Sequence, residues 1–138
     1  MMVFAKKKWG QNFLVDNNLL NKIVKTVNID SDENILEIGP GQGALSEKLV
    51  DLNILLSFSG NVTFKNSSNH SAVENIGLDN FVLETDCPFL SPHPFRGKPN
   101  EPKRVYDIAL YLSEFLEIPI EKIADATSKN AMNFFNID

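Results

Sequence analysis

Apolar residues recur at spacings of three and four from Leu19 through Leu20, Ile23, Val24 and Val27. That is the period of a helix with one apolar face, and it predicts a helix over roughly 18–27 with Asp16 or Asn17 as its cap. Asn28 to Glu33 is polar and reads as a turn. The period then shortens: Asn34-Ile35-Leu36-Glu37-Ile38 reads as a buried strand, Gly39-Pro40-Gly41-Gln42-Gly43 as a tight turn, and Ala44 to Asp51 as a helix. Ile54 to Phe64 reads as a second strand interrupted at Gly60, where a bulge or a close backbone approach is expected. A short helical piece over Val73 to Ile76 and a turn over Asn75 to Asn80 lead to a third strand, Phe81-Val82-Leu83. Pro102 suits the first turn of a helix, and Val105, Ile108, Ala109, Leu112, Phe115 and Leu116 form its stripe. Pro119 opens another helix with Ile120, Ile123 and Ala124 inward. Thr127 or Ser128 is expected to cap a last short helix carrying Ala131, Phe134 and Phe135. Strands near 34–38, 54–64 and 81–84 that alternate with helices predict an α/β unit. Its sheet is small, mainly parallel, of three or four strands with right-handed crossovers.

Composition narrows the class without choosing a function. The 138 residues are 43% hydrophobic and 22% charged, ordinary for a globular domain. A net charge of -5 argues against general nucleic-acid affinity but leaves room for a local basic patch. The single cysteine, Cys87, excludes an internal disulfide framework and fits a reducing, cytoplasmic setting. No apolar run reaches the roughly 20 residues of a spanning helix. No apolar segment follows Lys6-Lys7-Lys8, so neither a signal peptide nor a membrane partner is expected.

The chemistry concentrates in Asn80 to Pro102, NFVLETDCPFLSPHPFRGKPNEP. A strand ending in carboxylates, Glu84 and Asp86, and followed by a proline-rich loop is how α/β proteins build a site at the carboxyl end of a sheet. The stretch closely resembles the C-terminal part of the TatD family of metal-dependent deoxyribonucleases, whose last barrel strand ends in L-E-T-D-x-P and leads into R-G-K-x-N-E-P. S-F-S-G-N-V-T-F-K-N and A-T-S-K-N-A-M-N-F-F extend the resemblance over about 54–136. It implies the last two strand-helix units of a TIM-barrel-type hydrolase, a divalent metal, and DNA as partner. Of that family's metal ligands only the last-strand aspartate has a counterpart, Asp86. Glu84 would orient a metal-bound water or support the ligand from behind; alternatively the pair caps the loop and ion-pairs with Arg96 or Lys98. His70, in a polar loop, and His93 match no ligand position, so no catalytic set is complete.

The N-terminal third resembles a different family. K-K-W-G-Q-N-F-L-V-D and L-E-I-G-P-G-Q-G-A-L-S-E-K-L, within about 6–51, are similar to the start of the rRNA adenine dimethyltransferases (KsgA/Dim family). The resemblance implies a partial Rossmann-like methyltransferase unit that binds S-adenosylmethionine. Asn12, Leu14 and Gly39 match cofactor-contacting positions, and Glu37 and Gly41 lie in the same motif. Without the resemblance, the glycine turn reads equally as a tight connection with no ligand. Lys6 to Lys8 would face rRNA phosphate or form a solvated tail. The acidic residue that ends the family's second strand and its base-holding N-L/I-P-Y/F motif have no counterpart after Asp51.

The expected organisation is therefore 1–53 as a partial methyltransferase segment and 54–138 as a partial TatD-type segment. Three readings follow: a TatD-related hydrolase fragment without activity of its own, a methyltransferase-derived fragment that binds S-adenosylmethionine, and a non-catalytic recombined α/β protein. Uncovered sheet edges would favour self-association.

Overall fold

The computed structural model describes residues 14, 16–30, 33–38, 43–49 and 53–137. Lys6 to Lys8, Asn12, Gly39 and Gly41 lie outside the described residues.

Helix α1 (Asn17–Val27) starts where the sequence places it. Asp16 Oδ1 accepts the backbone N–H groups of Asn18 at 2.9 Å and Leu19 at 3.3 Å, satisfying donors the first turn cannot pair internally. Only Leu20 of the expected stripe is buried, while Leu19 and Val27 stay exposed. Strand β1 (Asn34–Ile38) follows, then α2 (Ser46–Leu49), which begins two residues after the expected Ala44.

Strand β2 (Asn53–Phe58) ends six residues before the expected Phe64. Chain from Gly60 to Thr63 turns into a 3-10 helix instead. The reason is steric. A Cβ on Gly60 would lie 2.0 Å from the Leu90 carbonyl oxygen and 2.9 Å from Pro92 N. This is the close backbone approach that glycine alone permits, and no strand can continue through it. Helix α3 (His70–Ile76) begins earlier than expected and takes in His70. A 3-10 turn over Leu78–Asn80 delivers the chain to β3 (Phe81–Leu83).

The three strands form one parallel sheet in the order β1-β2-β3. Alternation divides its faces. Leu56, Phe58 and Phe81 point into a core shared with Val62, Val73, Ile108 and Leu112, while Ser57, Val82 and Glu84 point to the opposite face. The Phe58 and Phe81 rings meet edge to face with centroids 5.5 Å apart. Each fully buried side chain of this cluster stabilises the fold by about 1.5–3 kcal/mol relative to exposure.

Pro102 opens a 3-10 turn that runs into α4 (Val105–Leu116). Helix α5 (Ile120–Phe135) is continuous, so the expected break near Thr127 is absent. Thr127 Oγ1 instead donates back to the Ile123 carbonyl at 2.9 Å, satisfying the hydroxyl inside the helix. Of the α5 residues expected inward, Ile123 is fully buried and Ala124 is exposed. Asn130 Nδ2 on α5 donates to the carbonyls of Leu78 and Phe81, both at 2.8 Å, and so ties that helix to the entry of β3.

Candidate functional site

The expected pair of carboxylates stands at the carboxyl end of β3, but not by simple strand alternation. The strand ends at Leu83. Glu84 remains tied to β2, its N–H donating to the Phe58 carbonyl at 3.0 Å. Its carboxyl reaches the hydroxyl of buried Ser57 on the neighbouring strand. Asp86, two residues on, has left-handed backbone (φ 55°) and is exposed. The strand does not persist as far as Asp86, and the backbone turns between the two carboxylates.

The electrostatics separate their roles. Burial pushes the Glu84 carboxyl above its ordinary pKa; the Ser57 hydrogen bond pulls the other way, and the Asp86 charge nearby adds to the rise. Neither Arg96 nor Lys98 pairs with these carboxylates among the described residues. Arg96 lies over the Phe64 ring, 4.1 Å from its centroid.

The loop carrying Asp86 is held by a residue that the sequence reading passed over. Asn100 is buried. Its Nδ2 donates to the carbonyls of Thr85 at 2.6 Å and Phe89 at 2.7 Å, and its Oδ1 accepts the Glu101 N–H at 2.9 Å. Its own N–H donates to the Pro88 carbonyl at 2.9 Å. A second clamp is the Ser91 hydroxyl, which donates to the Lys98 carbonyl at 2.6 Å. A third joins the loop to the 3-10 turn after β2: the His93 N–H donates to Thr63 Oγ1 at 2.8 Å. The signal for Ser57 was one polar residue within the apolar run from Ile54 to Phe58; for Asn100 it was a lone amide among prolines just before a helix.

The histidines do not join the carboxylates. His70 Nε2 lies 2.8 Å from the Val62 carbonyl and 3.0 Å from Tyr111 Oη, and its ring packs on Phe115 with centroids 4.8 Å apart. His93 is exposed. Among the described residues no three His, Cys, Asp or Glu side chains converge as a metal site needs. The donor set of Asp86 and Glu84 does not by itself fit a held divalent metal. Cys87 is free and exposed.

Of the cofactor positions expected in the N-terminal third, only two are described. Leu14 is exposed, and the Glu37 carboxylate accepts the Ser46 hydroxyl at 2.6 Å, tying β1 to the start of α2. No described helix is long and apolar enough to cross a membrane.

Comparison with known proteins places these features in a lineage. The family model described as TatD related DNase matches residues 20–136. A Bacillus subtilis protein, the uncharacterized metal-dependent hydrolase YabD, is 39% identical over 117 residues, covering 84% of this chain and 46% of that protein. The crystal structure of YJJV, a TatD homolog from Escherichia coli, superposes with a TM-score of 0.61 at 27% identity, covering 68% of this chain and 37% of that one. The small parallel sheet and its helices thus match part of a TatD barrel-type hydrolase. The ribosomal RNA small subunit methyltransferase A of Ureaplasma parvum is 43% identical over 90 residues, covering 56% of this chain and 32% of that protein. The chain spans less than half the length of the curated relatives it matches.

Proposed function

Because the chain belongs to the TatD related DNase family, whose match runs through residues 20–136, we propose that it carries one part of a metal-dependent hydrolase site acting on DNA. Asp86 is the carboxylate that would ligate a divalent metal there, and Glu84 is the carboxyl that positions it. A bound metal would supply Lewis-acid activation of the nucleophile. The observation behind this reading is the placement of Asp86 and Glu84 at the carboxyl end of a parallel strand, within the residues that the family model matches.

The same reading holds that the chain does not hydrolyse DNA alone. One exposed carboxylate competes poorly with water for a divalent ion, and hydrolysis needs several fixed ligands around a polarised nucleophile. A single-stranded DNA cleavage assay with Mg2+ or Mn2+ tests it. The expected result is no cleavage above buffer. Cleavage that Asp86→Ala abolishes would overturn it.

The methyltransferase relative favours a second reading, S-adenosylmethionine binding at the segment that holds Gly39 and Gly41. Calorimetric titration with that cofactor would support it if binding were tighter than millimolar and lost in Gly39→Val. The absence of heat would remove it.

A further inference from the structure

Helix α4 is apolar on two sides. Its inner side, Ile108, Ala109 and Leu112, is buried, and Ile108 and Leu112 belong to the core cluster with Leu56, Phe58 and Phe81. Its outer side carries Tyr106, 61% exposed, and Leu110, 40% exposed, one turn apart on a single stripe. Nine of its twelve residues are apolar, the composition of a helix covered all round. The polar ones do little for the outer side: Asp107 pairs with Arg104, and Ser113 donates to the Ile118 carbonyl at 2.6 Å, which leaves Glu114. Helix α5, packed alongside, shows the ordinary arrangement, with Glu121, Lys122, Asp125 and Lys129 at exposed positions. The outer stripe of α4 looks away from the sheet, so strands added at a sheet edge would not cover it. The exposed charges at the ends of α4 also run against its dipole. Lys103 stands just before the amino end, Glu114 and Glu117 stand at the carboxyl end, and the last turn holds no basic residue. Among the described residues neither glutamate has an ion pair, and Lys103, 2.7 Å from Glu101, keeps 74% of its side chain exposed.

We propose that this stripe is the contact face between two copies of the chain, packed antiparallel about a two-fold axis at Leu110. Lys103 and Glu117 lie two turns to either side of Leu110, and Tyr106 and Glu114 lie one turn to either side. The axis therefore sets Leu110 against Leu110. It brings Lys103 toward Glu117 of the other copy and the Tyr106 hydroxyl toward Glu114 of the other copy, each contact made twice. Antiparallel packing opposes the two helix dipoles and supplies each acidic end with a cation, whereas a parallel pair would set glutamate against glutamate. This order of charge is what singles out a second copy as the occupant. The apolar stripe is narrow, so the association belongs to the weak, transient class. It is independent of the hydrolase reading.

The test is sedimentation equilibrium of the full chain from about 10 to 500 μM, in a reducing buffer so that exposed Cys87 forms no cross-link. The expected result is a weight-average mass that climbs with concentration from 15.5 kDa toward twice that value and stops there, as a closed two-fold pair must. Leu110→Glu sets two carboxylates against each other on the axis and should hold the mass at one chain throughout. Lys103→Glu and Glu117→Lys should each raise the dissociation constant by about fivefold, because like charges then meet across the axis. The double reversal, Lys103→Glu with Glu117→Lys, restores opposite charges and should recover the lost affinity. All three positions are exposed, and thermal melts confirm that the variants fold. A mass of one chain at every concentration, association that survives Leu110→Glu, or a double reversal no tighter than the single ones would each overturn the proposal.

Discussion

Replacing Asn100 by aspartate reverses the polarity of the clamp while changing its shape little. Two carbonyl oxygens, those of Thr85 and Phe89, lie 2.6 and 2.7 Å from Nδ2 and lose their only side-chain donor. A carboxylate oxygen then faces both of them. An unsatisfied buried acceptor costs about 1–3 kcal/mol, so Asn100→Asp should destabilise the protein by about 3–5 kcal/mol at pH 7. Asn100→Ala removes the same donors without adding charge and should cost about 3 kcal/mol at every pH. The two variants diverge on acidification. Burial and two facing carbonyls raise the folded-state pKa of the introduced carboxyl above its unfolded value of about 3.9. The folded state then binds the proton more tightly than the unfolded state. Stability is therefore regained as pH falls through the raised value and lost again as pH rises. Urea denaturation followed by circular dichroism at pH 7 and pH 5, with the unsubstituted protein at each pH as reference, measures this. An Asn100→Asp midpoint equal to that of the unsubstituted protein at pH 7, or a loss that tracks Asn100→Ala across pH, would refute the reasoning.

Two further outcomes follow from the same loop. Gly60→Ala places a methyl 2.0 Å from the Leu90 carbonyl oxygen, far inside the 3.4 Å at which ordinary contact begins. The loop must be displaced, so a loss of about 3 kcal/mol and a melting temperature lower by roughly 10 °C are expected in a thermal scan; an unchanged melt contradicts the contact. The raised Glu84 pKa means that the folded state favours the protonated carboxyl, so this group's contribution to stability is present below its ordinary value of 4.5 and is lost as pH rises through the raised one. Glu84→Gln should flatten that part of the pH–stability curve, and an unaltered slope would show that the group is not desolvated. Together with the Asp86 cleavage assay, these outcomes probe the Asn100 clamp and both carboxylates.

Much of the frame was legible because it is local. The Asp16 cap, the strand from Asn34 to Ile38 and the short strand from Phe81 to Leu83 fall where period and capping chemistry put them. The failures share a cause, which is long-range contact. The apolar run after Phe58 has the composition of a strand, yet the loop thirty residues on claims the space beside Gly60. Thr127 looks like a cap in sequence, but packing of α5 carries the helix through it and the hydroxyl bonds backwards. His70 reads as loop because its polar neighbours hide the contacts with Val62 and Tyr111 that fix it. At the site, the placement of Asp86 just past β3 was readable from the sequence, but its left-handed backbone and the clamping of its loop by Asn100 were not, since both depend on how residues 85–100 close on themselves.

Asn130 has a consequence for the carboxylates that its distance along the chain conceals. Its one amide group spans two acceptors, Leu78 and Phe81, the second of them 49 positions earlier in sequence. Successive helix residues are rotated by about 100°, so sliding α5 by a single residue would swing that amide off both carbonyls. The height at which β3 enters the sheet is thereby gauged by the final helix, and the acidic groups mounted at the strand's far end inherit that setting.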